Sequence, residues 1–392
     1  VDTTNTAQLS GAATVSSAAL AINAHTIHSL TADTIVGAAG GFGLAAAVTY
    51  IEDNSDTYAY INGATVSVSG GVAVNAISAR TIDADATGVS LGLTGAAGVS
   101  YAETSIGGET KAALGSDASG ATSNQGVNIG TSGNRTGSVT LGATSTDSVL
   151  AETIAAGGGI GFAIQGAVAD GDVVTTVATE MNNANIYTAN AINSMASSNS
   201  AATTDSTGVS ISGGLAAGVS LAESKLDVTV SNNVLGGSVL DGGSVSIGSE
   251  ITRGRNDSDA LAAAGALVGV AGSDAESDNT SSAITTVSGS TINSGGQVSI
   301  TAATSTEQTS KSSGLAIGLI AAGSNNALSK SNTETITAVT NMNGIRAGGL
   351  NITSTGDDKN YSTAVAGSGG LVAGAASSSD TSTTSRTEAY AT

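Results

Sequence analysis

The chain of 392 residues contains no proline, no cysteine and no tryptophan, and it has only 2 phenylalanines and 7 tyrosines. Each absence excludes something. Without cysteine no disulfide can staple the fold. Large aromatic side chains supply much of the area buried in a rounded core, and this chain has almost none. Its interior must instead be filled by Ala, Gly, Ser, Thr, Val and Ile, which suit a thin space between closely approaching sheets. Proline removes a backbone donor, so its absence fits a chain that is paired nearly everywhere. Basic residues are also scarce. There are 11 Lys and Arg against 31 Asp and Glu, a net charge of −20. Binding to nucleic acid or to an anionic membrane surface needs clustered Lys and Arg, and the balance here opposes both. No apolar run reaches the ~18 residues of a membrane-spanning helix.

What the chain does contain is small and repetitive. Glycine numbers 54, hydrophobic residues make up 40% and mean hydropathy is +0.19. That is too apolar for a disordered Gly/Ser/Thr-rich chain. A short apolar-x-apolar strand start recurs, often after a glycine pair, at Leu20, Val72, Val139, Ile192, Val245, Val298 and Leu350. The spacings are 52, 67, 53, 53, 53 and 52. The long step implies about 14 extra residues, placed in the polar stretch from Ser116 to Gly137. Two other markers keep the same phase. GVSLGLTGAAGVSYAET from Gly88 and GVSISGGLAAGVSLAES from Gly208 lie 120 residues apart, as do Val72 and Ile192. Near the unit ends an apolar residue recurs at Val66, Ile186, Val239, Ile292 and Ile345.

A fixed period of this kind marks a solenoid or array in which stability comes from stacking neighbours. Two-residue alternation, as in Val298, Ile300 and Ala302, points to strands. The Ala-rich run Ser258–Val270 could be read as helix. Its sister copies are full of Gly, Val and Ile, and Gly costs about 1 kcal/mol at a helical position, so the repeat argues for strand there too. The expectation is an all-β, parallel β-solenoid of about seven units of ~53 residues, forming one continuous array over residues 1–392. Each unit is expected to be one broad coil of roughly three strands, with two narrow coils per unit as the alternative. The array begins and ends inside the repeat phase, as expected of a segment of a longer one. Asn62-Gly63, Asp170-Gly171-Asp172 and the Asn256–Asp259 cluster read as turns.

Several motifs suggest chemistry, and each has a plainer reading. Gly88-Val89-Ser90-Leu91-Gly92 matches the GxSxG nucleophile pattern, which needs a strand-to-helix turn and a later histidine. The only histidines, His25 and His28, lie upstream. At strand spacing these two face opposite sides, and no further His or Cys exists to complete a metal site with them. Gly157–Gly161 and Ala39–Gly43 resemble phosphate-cradling loops, but neither opens a helix, and both fit a bend or a close sheet approach. The Asp/Asn clusters would hold calcium only as a weak surface ligand, because neither an EF-hand loop nor a calcium β-roll nonapeptide occurs. The Thr tracts at 174–179 and 381–385 would suit an ice-binding face only if threonine held one fixed position in every unit, and it wanders. No catalytic, cofactor-binding or metal-ligating residue is therefore expected, and no enzyme activity.

The strand starts Gly242, Gly243, Val245, Ile247; Gly295, Gly296, Val298, Ile300; and Gly348, Gly349, Leu350, Ile352 are followed by Thr/Ser-rich and then Ala/Gly-rich strands. Across nearly the whole chain this pattern resembles the repeats of very large secreted bacterial surface proteins of the filamentous-haemagglutinin-like adhesin group. The resemblance implies an elongated solenoid, export to the bacterial cell surface or beyond, and a role in adhesion, biofilm or an extracellular fibre. It transfers no functional residue. The expected partners are the chain itself, stacked end to end or continued in a longer array, or a glycan or host protein held on a lateral face or by the 116–137 insert.

Overall fold

A computed structural model describes residues 1–120 and 123–392, and it is built of strands and turns alone. Every strand pairs in parallel with its own counterpart one unit along the chain. Val298 lies beside Leu350 on one side and Val245 on the other, and Val72 lies between Leu20 and Val139. The sequence period is therefore one coil of a β-solenoid, and the coils stack as a single array. The alternative of two narrow coils per unit is excluded by this register.

Coil six shows the plan. A first side runs Gln297–Ile317, a second Ile320–Ser331, a third Glu334–Thr340 and a short fourth Gly344–Arg346. There are thus four sides where roughly three were expected. The fourth side is only three or four residues long in each coil and stacks as its own seven-stranded sheet. Its apolar column runs through Val66, Ile186, Leu240, Ile292 and Ile345. Val239 stands one place off that column, beside Asn185, because the alternation of a strand puts neighbours on opposite faces. Asn62-Gly63 does form a turn, at the corner between the third and fourth sides, with Gly63 at φ +82°. By contrast Asp170–Asp172 and Asn256–Asp259 are not turns but lie inside the strands Phe162–Asn182 and Ser244–Gly265. The Ala-rich run from Ser258 is strand as well, within Ser244–Gly265 and Val268–Asn279, apart from the turn at Ala266 and Leu267.

The interior changes along the coil. At the wide end, where the first, third and fourth sides meet, one apolar cluster runs along the stack through residues such as Val74, Leu141, Ile186, Ile247 and Ile300. Towards the other end the first and second sides lie face to face and the buried residues shrink mainly to Ala, Ser and Gly, with an occasional larger polar residue such as Gln165 or Asn325. Small alanine clusters fill part of this narrow end. Serine fills the rest, because hydroxyls from the two faces satisfy one another. Ser220 donates to Ser206 (2.8 Å), while Ser224 meets Ser258 (2.6 Å) and Ser277 meets Ser310 (2.7 Å). A buried hydroxyl without such a partner would carry a desolvation penalty of about 1–3 kcal/mol.

The two glycine-led markers have a physical cause here. A Cβ on Gly208 would sit 2.4 Å from the Val219 carbonyl oxygen across the gap, and one on Gly218 would sit 2.5 Å from the Ala263 carbonyl oxygen. Glycine is required because backbone faces backbone. Replacing Gly208 with Ala should lower stability by about 1–3 kcal/mol, the cost typical of overpacking. Replacing Gly166 with Ala, where the added carbon would meet nothing closer than 4.0 Å, should cost less than about 1 kcal/mol. Urea unfolding followed by circular dichroism checks the pair, and equal midpoints would contradict the close-approach account.

Candidate functional site

The stacking register decides where each polar side chain falls. Ser90 of the GxSxG match is fully buried in the strand Gly71–Ile106 and accepts a hydrogen bond from Gln165 Nε2 at 2.8 Å. Its coil neighbour is Ala38, ten positions beyond His28 on one strand, which is roughly 33 Å away at strand rise. Neither histidine serves it as a base. His25 and His28 point to opposite faces, as their spacing requires. His25 is exposed, and His28 turns inward to meet Asp53 at 2.7 Å. The phosphate-loop lookalikes are bends at the narrow end. A Cβ on Gly43 would lie 2.4 Å from the Leu91 carbonyl oxygen, and one on Gly159 would lie 2.6 Å from that of Phe162. Among the described residues no outward column of the first side carries threonine in every coil, so the Thr tracts make no flat ladder there.

The extra residues of the second unit do not form one loop. They divide around the short strand Val127–Ile129, with one excursion before it and one after. Parts of both are tied down. Gln125 N–H donates to Asn62 Oδ1 (2.7 Å), and Arg135 bonds the Thr188 carbonyl oxygen (3.0 Å) and Asp241 Oδ1 (2.8 Å). Residues 121 and 122 of the expected insert lie outside the described residues.

Two charged arrangements were not read from the sequence. The first is buried. Arg80 holds Asp147 with two bonds of 2.9 and 3.2 Å, donates to the Ser55 carbonyl oxygen at 3.2 Å and also reaches the Gly107 carbonyl. Beside it Asp53, fully buried, accepts from Ser55 N (3.1 Å), Ser55 Oγ (2.6 Å) and His28 Nδ1. Burial alone would raise the Asp53 carboxyl, but the Ser55 hydrogen bonds and His28, with Arg80 nearby, hold it below its ordinary value. Arg80 joins Ser55 of the preceding coil to Asp147 of the next, so the cluster ties successive coils together.

The second arrangement lies on the outer faces. On the first side Asp33, Asp85, Glu152, Asp205 and Asp259 occupy one column in five consecutive coils, and Lys311 follows in the sixth. A groove of about 300 Å³ lies over the first four. On the second side Glu103, Asp170, Glu223 and Glu276 form a matching column. Stacked coils put like charges about 4.8 Å apart, which raises carboxyl pKa values. Burial, and then Asp83, raise Asp85; burial, and then Asp85, raise Glu152; burial raises Asp205. Burial, followed by the charges of Asp172, Glu223 and Glu103, raises Asp170 to about 7. Among the described residues no three of His, Asp and Glu converge to hold a metal ion. Comparison with family models, with curated proteins and with solved structures finds no match for the chain.

The aromatic residues are less scattered than their sequence positions suggest. Phe42 and Phe162 stand in one column on the outer second side, separated by Gly95 of the coil between them. Their ring centroids are 5.6 Å apart and tilted by 56°. A Cβ on Gly95 would lie 2.4 Å from the Phe162 ring, so the glycine is what lets the rings approach.

The carboxylate columns fix the sign of the pH dependence. A carboxyl raised in the folded state contributes stability that is fully present below its ordinary pKa. That stability is lost as pH rises through the folded value, which for Asp170 is about 7. Asp53, lowered instead, contributes in the opposite direction, and its share is lost only as pH falls below the ordinary carboxyl range. Thermal stability should therefore rise as pH falls from 8 to 5 and decline again at lower pH. Asp170→Asn should add about 1 kcal/mol at pH 8, after discounting for the solvent-facing part of the side chain, clearly less at pH 5, and nothing below about pH 4, the ordinary Asp value. Calorimetry at the two pH values checks this, and a melting temperature that falls steadily from pH 8 to 5 would contradict it.

Proposed function

We propose that the chain is a non-enzymatic structural segment of a bacterial extracellular filament or surface stalk, whose work is to hold length and stiffness through stacked strand ladders. The observation that carries this reading is the register of the first side, which runs through seven coils from Leu20 to Leu350 with a single bulge near Thr252 in coil five. A rod built this way resists bending because every coil is bonded along its length to the next. The acidic outer columns keep a long repetitive surface soluble. Such a rod would be extended by continuation of the array or by end-to-end stacking of copies.

Antibody labelling of intact cells of the source organism tests the location, with staining expected outside the cell and protease treatment of whole cells expected to remove it. Staining only after permeabilisation would overturn the reading.

A second reading is favoured by the Phe42–Phe162 pair, since an outward aromatic ring suits the apolar face of a sugar ring. In that reading the segment also adheres to a glycan on its lateral face. Glycan-array binding that disappears in the Phe42→Ala, Phe162→Ala double variant would support it, and binding unaffected by the double variant would exclude the pair as its site.

A further inference from the structure

The edge at the narrow end of the coils is apolar on its outer surface, and neither reading above uses it. The turn between the first and second sides presents Leu93, Ile160, Leu267, Leu319 and Leu371, with relative exposures from 51% to 86%. Coil four has Gly213 and Gly214 at this turn, and its Ile211 beside them is 63% exposed. The outward positions on either side of the turn continue the pattern, as in Leu315 and Ile320 of coil six. Further from the turn, each face changes to its column of carboxylates. The result is an apolar strip along the stack, rimmed by negative charge on the first side in coils one to five and on the second side in coils two to five. Exposed patches of that extent, rimmed by polar groups, are uncommon on monomers.

We infer that this edge is a lateral interface at which two copies of the chain lie edge to edge. Seven coils at ~4.8 Å, by a contour of about 20 Å around the edge, give roughly 600 Å² per copy, and a pair would bury on the order of 1,200 Å², the lower bound for a specific interface. The strip repeats once per coil, so an occupant in contact along its full length must repeat at that spacing, and a second copy does. The carboxylate rims oppose an anionic bilayer or an acidic partner. Between two copies they confine the overlap to the apolar strip and oppose close approach at low ionic strength. Pairing is therefore promoted by salt, whereas an interface held by opposite charges would be weakened by it.

Sedimentation equilibrium of the full chain, from about 1 to 100 µM in about 0.05 and 0.5 M NaCl, tests the inference. A monomer–dimer equilibrium is expected, at least fivefold tighter in the higher salt. The Ile160→Ser, Leu267→Ser, Leu319→Ser variant changes only exposed side chains and should pair at least tenfold more weakly, with an unchanged circular dichroism spectrum. If that variant loses its β signal, Leu319→Ser alone decides, with a weakening of at least threefold expected. Thr140→Asp, on the first side far from the edge, should pair as the parent does. A chain that stays monomeric under all conditions would overturn the inference, as would pairing unaffected by the serine changes. Serine-sensitive binding to phosphatidylcholine vesicles without dimerisation would overturn it in favour of a lipid surface.

Discussion

Each strand in this molecule finds its backbone partners in the coil before and the coil after, and every other feature follows from that pairing. A parallel, in-register ladder returns each side-chain position to the same lateral place in the next coil. Composition is then selected by column rather than by residue. An inward Val, Ile or Ala stacks on its like and buries area in every layer. An outward Asp stacks on Asp or Glu and repels it. Proline would break the ladder in two coils at once.

The interior shows how a fold with almost no aromatic residues closes. At the wide end branched aliphatic side chains fill the space left by three converging sides. At the narrow end two faces approach so closely that mostly Gly, Ala and Ser fit. Burying serine there is tolerable because its hydroxyl meets another across the gap, as Ser277 meets Ser310. The same closeness forces the glycines at 208 and 218. It also turns the larger side chains near the coil edge outward, and this produces the apolar strip.

Much of the architecture was legible in the sequence, because a solenoid writes its coil length as a period. The spacing of Val245, Val298 and Leu350 is the ladder itself, and the glycines of the two markers record close approach. Turns were less legible. Asp170-Gly171-Asp172 carries turn residues, yet in the ladder Gly171 is an inward position with Thr204 across from it, where an added Cβ would lie 2.9 Å from the threonine methyl carbon. The charged features were not legible, because they depend on which residues share a column. Asp85 and Glu152 are far apart in the chain, and they are adjacent in space only because the register of the first side steps over the extra residues of the second unit. Phe42 and Phe162 are separated by two coils and meet only because Gly95 stands between them.

The absence of cysteine makes the most direct test simple. Spin labels on cysteines introduced at Ser246 and Ser299, outward positions of one column in adjacent coils, report the stacking register by their dipolar coupling. One broad coil per repeat predicts a backbone separation of about 5 Å for this pair, and about 10 Å when the second label is moved to Asn351, two coils away. A separation near 10 Å for the first pair would mean two coils per repeat, and one beyond about 20 Å would mean that the period is not a stack at all.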